Sequence, residues 1–180
     1  MNKLRVLLPA AGVVAASVGG ACAWLVLSAG DAVAVTPPNV TAGVRKVCAA
    51  LHAHLPATVD GQSRDSVSPD SDLTAAWGKS PIVLTCGAAT PAVLNPNSRT
   101  FDPSTQAVYA NGVDWLPVQV SNGYEFYTTR REVYVEVFVP SSYNLAEGNP
   151  GMDAPTDLSA AVIAGTPTVD GGSGPDVSPA

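Results

Sequence analysis

Between Arg5 and Asp31 the chain runs for 25 residues without a charge. Val6, Leu7, Leu8, Val13, Val14, Val18, Trp24, Leu25, Val26 and Leu27 make most of it apolar. A helix needs about 20 such residues to cross the hydrocarbon core of a bilayer, whereas the apolar centre of a secretory signal has roughly 7–15. The length predicts an uncleaved transmembrane signal-anchor over residues 6–30, which would make the membrane itself the first partner. Lys3 and Arg5, in a short n-region over 1–5, would stay in the cytoplasm by the positive-inside rule, with Trp24 toward the outer interface. Two other readings stay open. Ala32-Val33-Ala34 fits a small-x-small cleavage pattern that would release a secreted chain. Cys22, after Gly19-Gly20-Ala21, stands where a lipoprotein would be acylated. All three readings carry the rest of the chain out of the cytoplasm.

Beyond the apolar segment the chain divides into a linker, one domain and a tail. Thr36-Pro37-Pro38-Asn39 gives a stiff linker over 31–40. Residues 41–165 then have the length of one domain with its own core. From 166 the sequence becomes polar and glycine-rich, with Asp170, Gly171, Gly172, Ser173 and Gly174, and reads as a disordered tail to 180. From Thr36 onward there are 7 basic and 14 acidic residues, a balance of −7. Only Arg45-Lys46 and Arg130-Arg131 pair their positive charges. A nucleic-acid partner requires a clustered basic face, so none is expected. An anionic membrane surface would repel this domain, leaving hydrophobic attachment as the route to a bilayer.

Cys48 and Cys86 are the only cysteines beyond the apolar segment. An oxidising compartment makes a disulfide the default for such a pair. The rival reading is two buried free thiols. Two cysteines do not complete a zinc site, and His52 and His54 do not share a face with which to finish one, so neither metal nor cofactor is expected.

The pattern predicts an α+β fold. A helix over 41–55 carries Val44, Val47, Cys48, Leu51 and Leu55 on one side, with Asn39 or Thr41 as its cap and Pro56 as its stop. Arg45, Ala49 and His52 fall on the other side, and His54 in the last turn, where both histidines read as ordinary surface residues. Residues 57–76 read as a polar loop; Asp70 and Asp72 resemble a calcium-loop fragment but lack its glycine and distal glutamate. Pro81 to Cys86 is a short apolar run expected to form a central strand. Residues 88–112 read as a long loop holding a short helix or an edge strand. A meander comes next. Val113 to Val120 is its first strand, with Pro117 pushing the later half to an edge. Asn122-Gly123 is a type I′ hairpin signal, leading into strands over Tyr124 to Arg130 and Val133 to Val139. A second helix over 155–164, capped by Asp153, completes an antiparallel sheet of about four strands with two helices on one face and a helix-to-strand disulfide.

Trp77-Gly78, Pro81-Ile82-Val83-Leu84-Thr85-Cys86-Gly87, Asn111-Gly112-Val113-Asp114-Trp115-Leu116-Pro117 and Tyr134-Val135-Glu136-Val137, with Cys48 and Leu51 upstream, together resemble the actinobacterial family called domain of unknown function 3515. The resemblance covers roughly residues 40–165. It implies an exported, membrane-associated or lipid-modified protein of the cell envelope, and it brings no activity. The apolar run through Cys22 departs from the lipoprotein pattern.

Three chemistries can be weighed. Ser/His/Asp hydrolysis would need His52 or His54 as the base, and the chain has no Gly-x-Ser-x-Gly elbow. Paired carboxylates for envelope glycan cleavage would be Asp114 and Glu136, although an aspartate in an Asn-Gly-Val-Asp run more often satisfies turn amides. Recognition would use aromatic residues: Trp115, Tyr134 and Phe138 would form a contact patch for an envelope protein or glycan if exposed together, while aromatics at strand spacing are more often core. A small-ligand pocket would sit beside the loop over 88–112. The composite expectation is a membrane-tethered, extracytoplasmic, non-catalytic interaction module, with the Asp114/Glu136 hydrolase and the small-ligand binder as alternatives.

Overall fold

The computed structural model describes residues 32–143 and 151–169. The predicted anchor over 6–30, the n-region and Cys22 lie outside these residues. Among the described residues no helix is long and apolar enough to cross a membrane.

Helix α1 spans Ala42–Ala53. Thr41 caps it as expected, its hydroxyl accepting from the Val44 amide at 3.3 Å. Cys48 and Leu51 are fully buried on its inner side. The segment expected to be a loop supplies three strands of the main sheet: β2 (Thr58–Val59), β3 (Gln62–Asp65) and, after a short crossing piece, β5 (Thr74–Trp77). The crossing piece holds β4 (Val67–Ser68), which pairs in parallel with β1 (Val33–Ala34). Strand β6 (Ile82–Cys86) is followed by a 3-10 turn at Ala92–Leu94 and the short strand β7 (Val108–Ala110). The meander is β8 (Val113–Val120), β9 (Gly123–Thr128) and β10 (Val135–Pro140), ending in a second 3-10 turn at Ser141–Tyr143. Helix α2 spans Asp153–Gly165.

The main sheet has eight strands in the order β2-β3-β5-β6-β10-β9-β8-β7, all antiparallel. The α+β class, the two helices and the disulfide are as expected; the strand count is twice the expected one. The extra strands escape pattern reading for physical reasons. β3 is Gln-Ser-Arg-Asp at the sheet margin, where its side chains meet water. β5 is Thr-Ala-Ala-Trp, buried on both faces, so it shows no alternation.

Cys48 and Cys86 are bonded, with Cα atoms 5.6 Å apart. The bond ties α1 to β6, a central strand. Val133, Val135, Val137 and Val139 are all buried on the helix side, packed with Leu51, Leu158 and Val162. Pro117 sits in β8 beyond the reach of β7, which pairs only with residues 113–115. Its missing N–H therefore leaves no ladder bond unmade.

The hairpin between β8 and β9 forms, but one residue out from the expected turn. Val120 pairs with Gly123, so Ser121 and Asn122 make the loop, and Gly123 opens the strand. The reason is the next strand: a Cβ on Gly123 would run into the Val139 carbonyl oxygen. The positive-φ pairs lie elsewhere, at Asp60-Gly61 (47° and 69°) and Asn111-Gly112 (46° and 87°), each a two-residue turn of the I′ kind.

Asp153 is the first residue of α2 rather than its cap; its carboxylate faces the helix dipole instead. At the other end Gly165 lies against α1, where a Cβ would overlap the Leu51 backbone. Gly165→Ala is expected to push the helices apart and cost about 2–3 kcal/mol, read by urea denaturation. The segment after α2 is not free, as the disordered-tail reading required. Thr168 bridges to Arg131, the Glu132 amide donates to the Pro167 carbonyl (3.0 Å) and the Val169 amide to the Arg130 carbonyl (3.1 Å). Residues 170–180 lie outside the described ones.

Candidate functional site

The aromatic residues expected to form one patch are divided between the two faces of the sheet. Trp115 is fully buried on the helix side. Its indole N–H donates to the Ser159 hydroxyl (3.1 Å), whose one proton is shared between the Pro155 carbonyl at 2.8 Å and the Ala110 carbonyl at 3.1 Å. Tyr134 is on the opposite face, 5% exposed, in a second cluster with Ala88, Leu116 and Tyr127. Val93 and Leu94 from the 88–112 loop pack on that cluster, so this loop covers the face. Phe138 is half-buried on the same side as Tyr134. The three do not make a contiguous exposed surface.

Asp114 and Glu136 do share a face. Leu116, Tyr127 and Glu136 form one cross-strand row, and Asp114 stands two residues before Leu116. Two strand spacings and one two-residue step put their backbones on the order of 12 Å apart. Their surroundings also differ. Asp114 faces Arg130 at 3.8 Å, in a cleft of about 240 Å³ also lined by Gly112, Thr129 and Arg131. The Arg131 guanidinium is consumed by the Thr166 and Gly112 carbonyls (3.0 and 3.1 Å) and holds the C-terminal segment down.

Glu136 belongs to a different group, with Glu125 and Tyr127. The Tyr127 hydroxyl donates to a Glu125 carboxylate oxygen at 2.7 Å. Burial, then the Glu125 charge, push the Glu136 carboxyl above its ordinary value, against a hydrogen bond from Tyr127. Burial and the two carboxylates hold the Tyr127 phenol protonated. A raised carboxyl contributes stability below its ordinary value of 4.5 and loses it as pH rises through the folded value. Glu136→Gln keeps the acceptor for Tyr127 and removes the charge, so the variant should be more stable than the parent at pH 7 by thermal unfolding, with the difference vanishing in acid.

His52, expected from the sequence to be an ordinary surface residue, has its ring engaged on both sides. Arg64 lies 2.7 Å from Nε2, and Asp72 lies 3.5 Å from Nδ1. Because a guanidinium can only donate, Nε2 accepts and the proton sits on Nδ1, toward Asp72. Arg64 is itself stacked over Trp77, 5.8 Å from the ring centre. The cleft at this group has a volume of about 330 Å³ and includes Asp70 and Thr74. The Thr74 hydroxyl is buried with no hydrogen-bond partner among the described residues. Burial first and the Arg64 charge second lower the His52 pKa, against Asp72 and Asp70. Protonation therefore costs the folded state. Stability should fall as pH drops below the ordinary value of 6.5, and His52→Gln should flatten that part of a denaturation-versus-pH curve. Sequence reasoning misses Arg64 and Asp72 because nothing in residue spacing joins a helix residue to a strand 12 positions away.

Neither His52 nitrogen has a serine partner, and Asp114 and Glu136 do not converge on one cleft. Among the described residues the two groups stay separate, His52 with Arg64 and Asp72, and Asp114 with Arg130.

A family model described as "Protein of unknown function (DUF3515)" matches residues 6–170. The chain belongs to this family. The match takes in the apolar segment as well as the domain. No curated protein and no solved structure matches this DUF3515 chain.

Proposed function

We propose that this DUF3515 protein is a membrane-tethered extracytoplasmic module of an actinobacterial cell envelope that binds an envelope partner, protein or glycan, without catalysis. The observation that carries this reading is the Cys48–Cys86 bond, fully buried between α1 and β6. Such a bond belongs to a chain folding in an oxidising compartment. The 25 uncharged residues before the domain supply both the export signal and the tether. The clefts favour binding, because Asp114 lies against Arg130 and His52 against Arg64, in separate places rather than aimed at a common point.

The test is cross-linking of the full-length chain in its native membrane, followed by purification. The reading requires the chain to sediment with membranes and to bring down the same envelope protein or glycan each time, also as the Asp114→Asn/Glu136→Gln double variant. Recovery from the soluble cytoplasmic fraction contradicts it.

A further inference from the structure

We propose that a groove at the β2–β3 end of the sheet is a binding site for a neutral saccharide. The groove lies between three turns: the β2–β3 hairpin, the β5–β6 turn at Gly78–Ser80, and the 3-10 turn Ser141–Tyr143. Its volume is about 560 Å³, within the roughly 300–1,000 Å³ usual for ligand sites. It shares only Asp65 with the lining of the His52 cleft and no residue with that of the Asp114 cleft, and none of the residues expected from sequence to bind lines it.

Its groups are those that recognise sugar hydroxyls. Gln62 offers an amide that both donates and accepts, Ser80 and Ser142 offer hydroxyls, and Tyr143 offers a ring and a phenol. Asp65 and Lys79, also in the lining, bring one charge of each sign. An anion would meet no net positive charge there, and a metal ion would find one carboxylate. A polyol can bond to both charges and to the amide together.

The groups are also held in place before any ligand arrives. The Tyr143 hydroxyl donates to the Ser80 carbonyl at 2.8 Å. The Ser80 and Ser142 hydroxyls bond to each other at 2.7 Å. Gly78 forms the floor at φ +80°, its amide donating to the Ser63 carbonyl. A Cβ there would come within 2.9 Å of both the Gln62 side chain and the Tyr143 hydroxyl, so glycine lets amide and phenol approach across it. Fixing the side chains in advance lowers the ordering cost of binding. An aromatic ring beside a fixed amide and hydroxyl pair offers both the apolar face and the polar edge of a pyranose a partner.

This inference rests on the reading of the chain as a binding module and names the ligand class. The experiment is ligand-observed saturation-transfer NMR on the full-length chain in lipid nanodiscs, titrated with chitobiose and with cellobiose. The expected result is saturable binding of at least one, weakened about tenfold or more by Gln62→Ala, which removes a half-exposed side chain outside the core, and by Tyr143→Ala. Tyr143→Phe should bind better than Tyr143→Ala, since it keeps the ring. A variant that has lost the parent's thermal midpoint is replaced in the comparison by Gln62→Ala alone. The proposal is overturned by no saturable binding of either sugar up to about 10 mM, by binding that Gln62→Ala leaves unchanged, or by a groove that takes an extended peptide and no sugar. If the sugars fail while membrane sedimentation and partner capture succeed, the ligand class is wrong and the module reading stands.

Discussion

Trp115→Ala should destabilise the fold by about 3–5 kcal/mol, the cost of emptying a large buried aromatic site. Trp115 is 0% exposed and packs between β8 and α2. Truncation also strips the Ser159 hydroxyl of its indole donor. Small domains are stable by only about 5–15 kcal/mol, so the loss takes a large share of the total. Trp115→Phe refills most of the volume and gives up one hydrogen bond, so it should cost far less. The check is urea denaturation of the three proteins side by side. A Trp115→Ala protein of parental stability that nonetheless fails to bind its partner would return Trp115 to the role of a contact residue. Without that result, any binding defect of this variant is a folding defect.

Removing the disulfide should have an effect of the same size. Cys48 and Cys86 are 38 positions apart, and in the chain-entropy model a loop of that length restrains the unfolded state by about 4 kcal/mol. The Cys48→Ala/Cys86→Ala variant should shift the denaturation midpoint by that amount. Adding a reductant to the parent should shift it in the same direction, and adding it to the variant should change nothing. The bond also sets which part of the sheet α1 covers, and Gly165 of α2 is packed on Leu51 of α1. Loss of the bond is therefore expected to loosen both helices together, seen as faster amide exchange in α2 as well as α1. A variant within experimental error of the parent would mean that packing alone fixes α1.

Much of the fold can be read from the amino acids where one local rule dominates. Thr41 and Pro56 bracket α1 because capping and ring sterics act within a turn of the chain. The alternating valines from Val133 to Val139 declare their face because one side is apolar without exception. Rules fail where distant neighbours decide. Asn122-Gly123 carries the chemistry of a turn, yet Gly123 is needed inside the strand by the approach of Val139. The polar stretch after Pro56 looks like loop because β2 and β3 lie at the sheet margin, where alternation carries no burial signal.

The site is less legible than the fold. Asp114 and Glu136 lie on the same meander, as the sequence predicts, and even share one face, but register alone separates them and gives each a different partner. Trp115 and Tyr134 look alike in sequence as strand aromatics, while α2 buries one and the 88–112 loop buries the other. The His52–Arg64–Asp72 group and the Gln62–Gly78–Tyr143 groove join residues from separate elements. Asp60-Gly61 is the one local signal near them, since a two-residue turn of that type brings β3 back beside β2.

The most direct measurement is the redox state and sidedness of Cys48 and Cys86 in intact cells making the full-length chain. Cells are quenched in acid, free thiols are blocked with maleimide under denaturing conditions, and the remaining cysteines are labelled with a heavy maleimide after reduction, because both sulfurs are buried in the folded domain. In parallel, unbroken cells are treated with a membrane-impermeant amine reagent, for which Lys46 and Lys79 are exposed on the domain surface. The account predicts that both cysteines take up the heavy label only after reduction and that the impermeant reagent labels the domain on unbroken cells. Two free thiols in a domain whose lysines are labelled only after lysis would contradict an extracytoplasmic module.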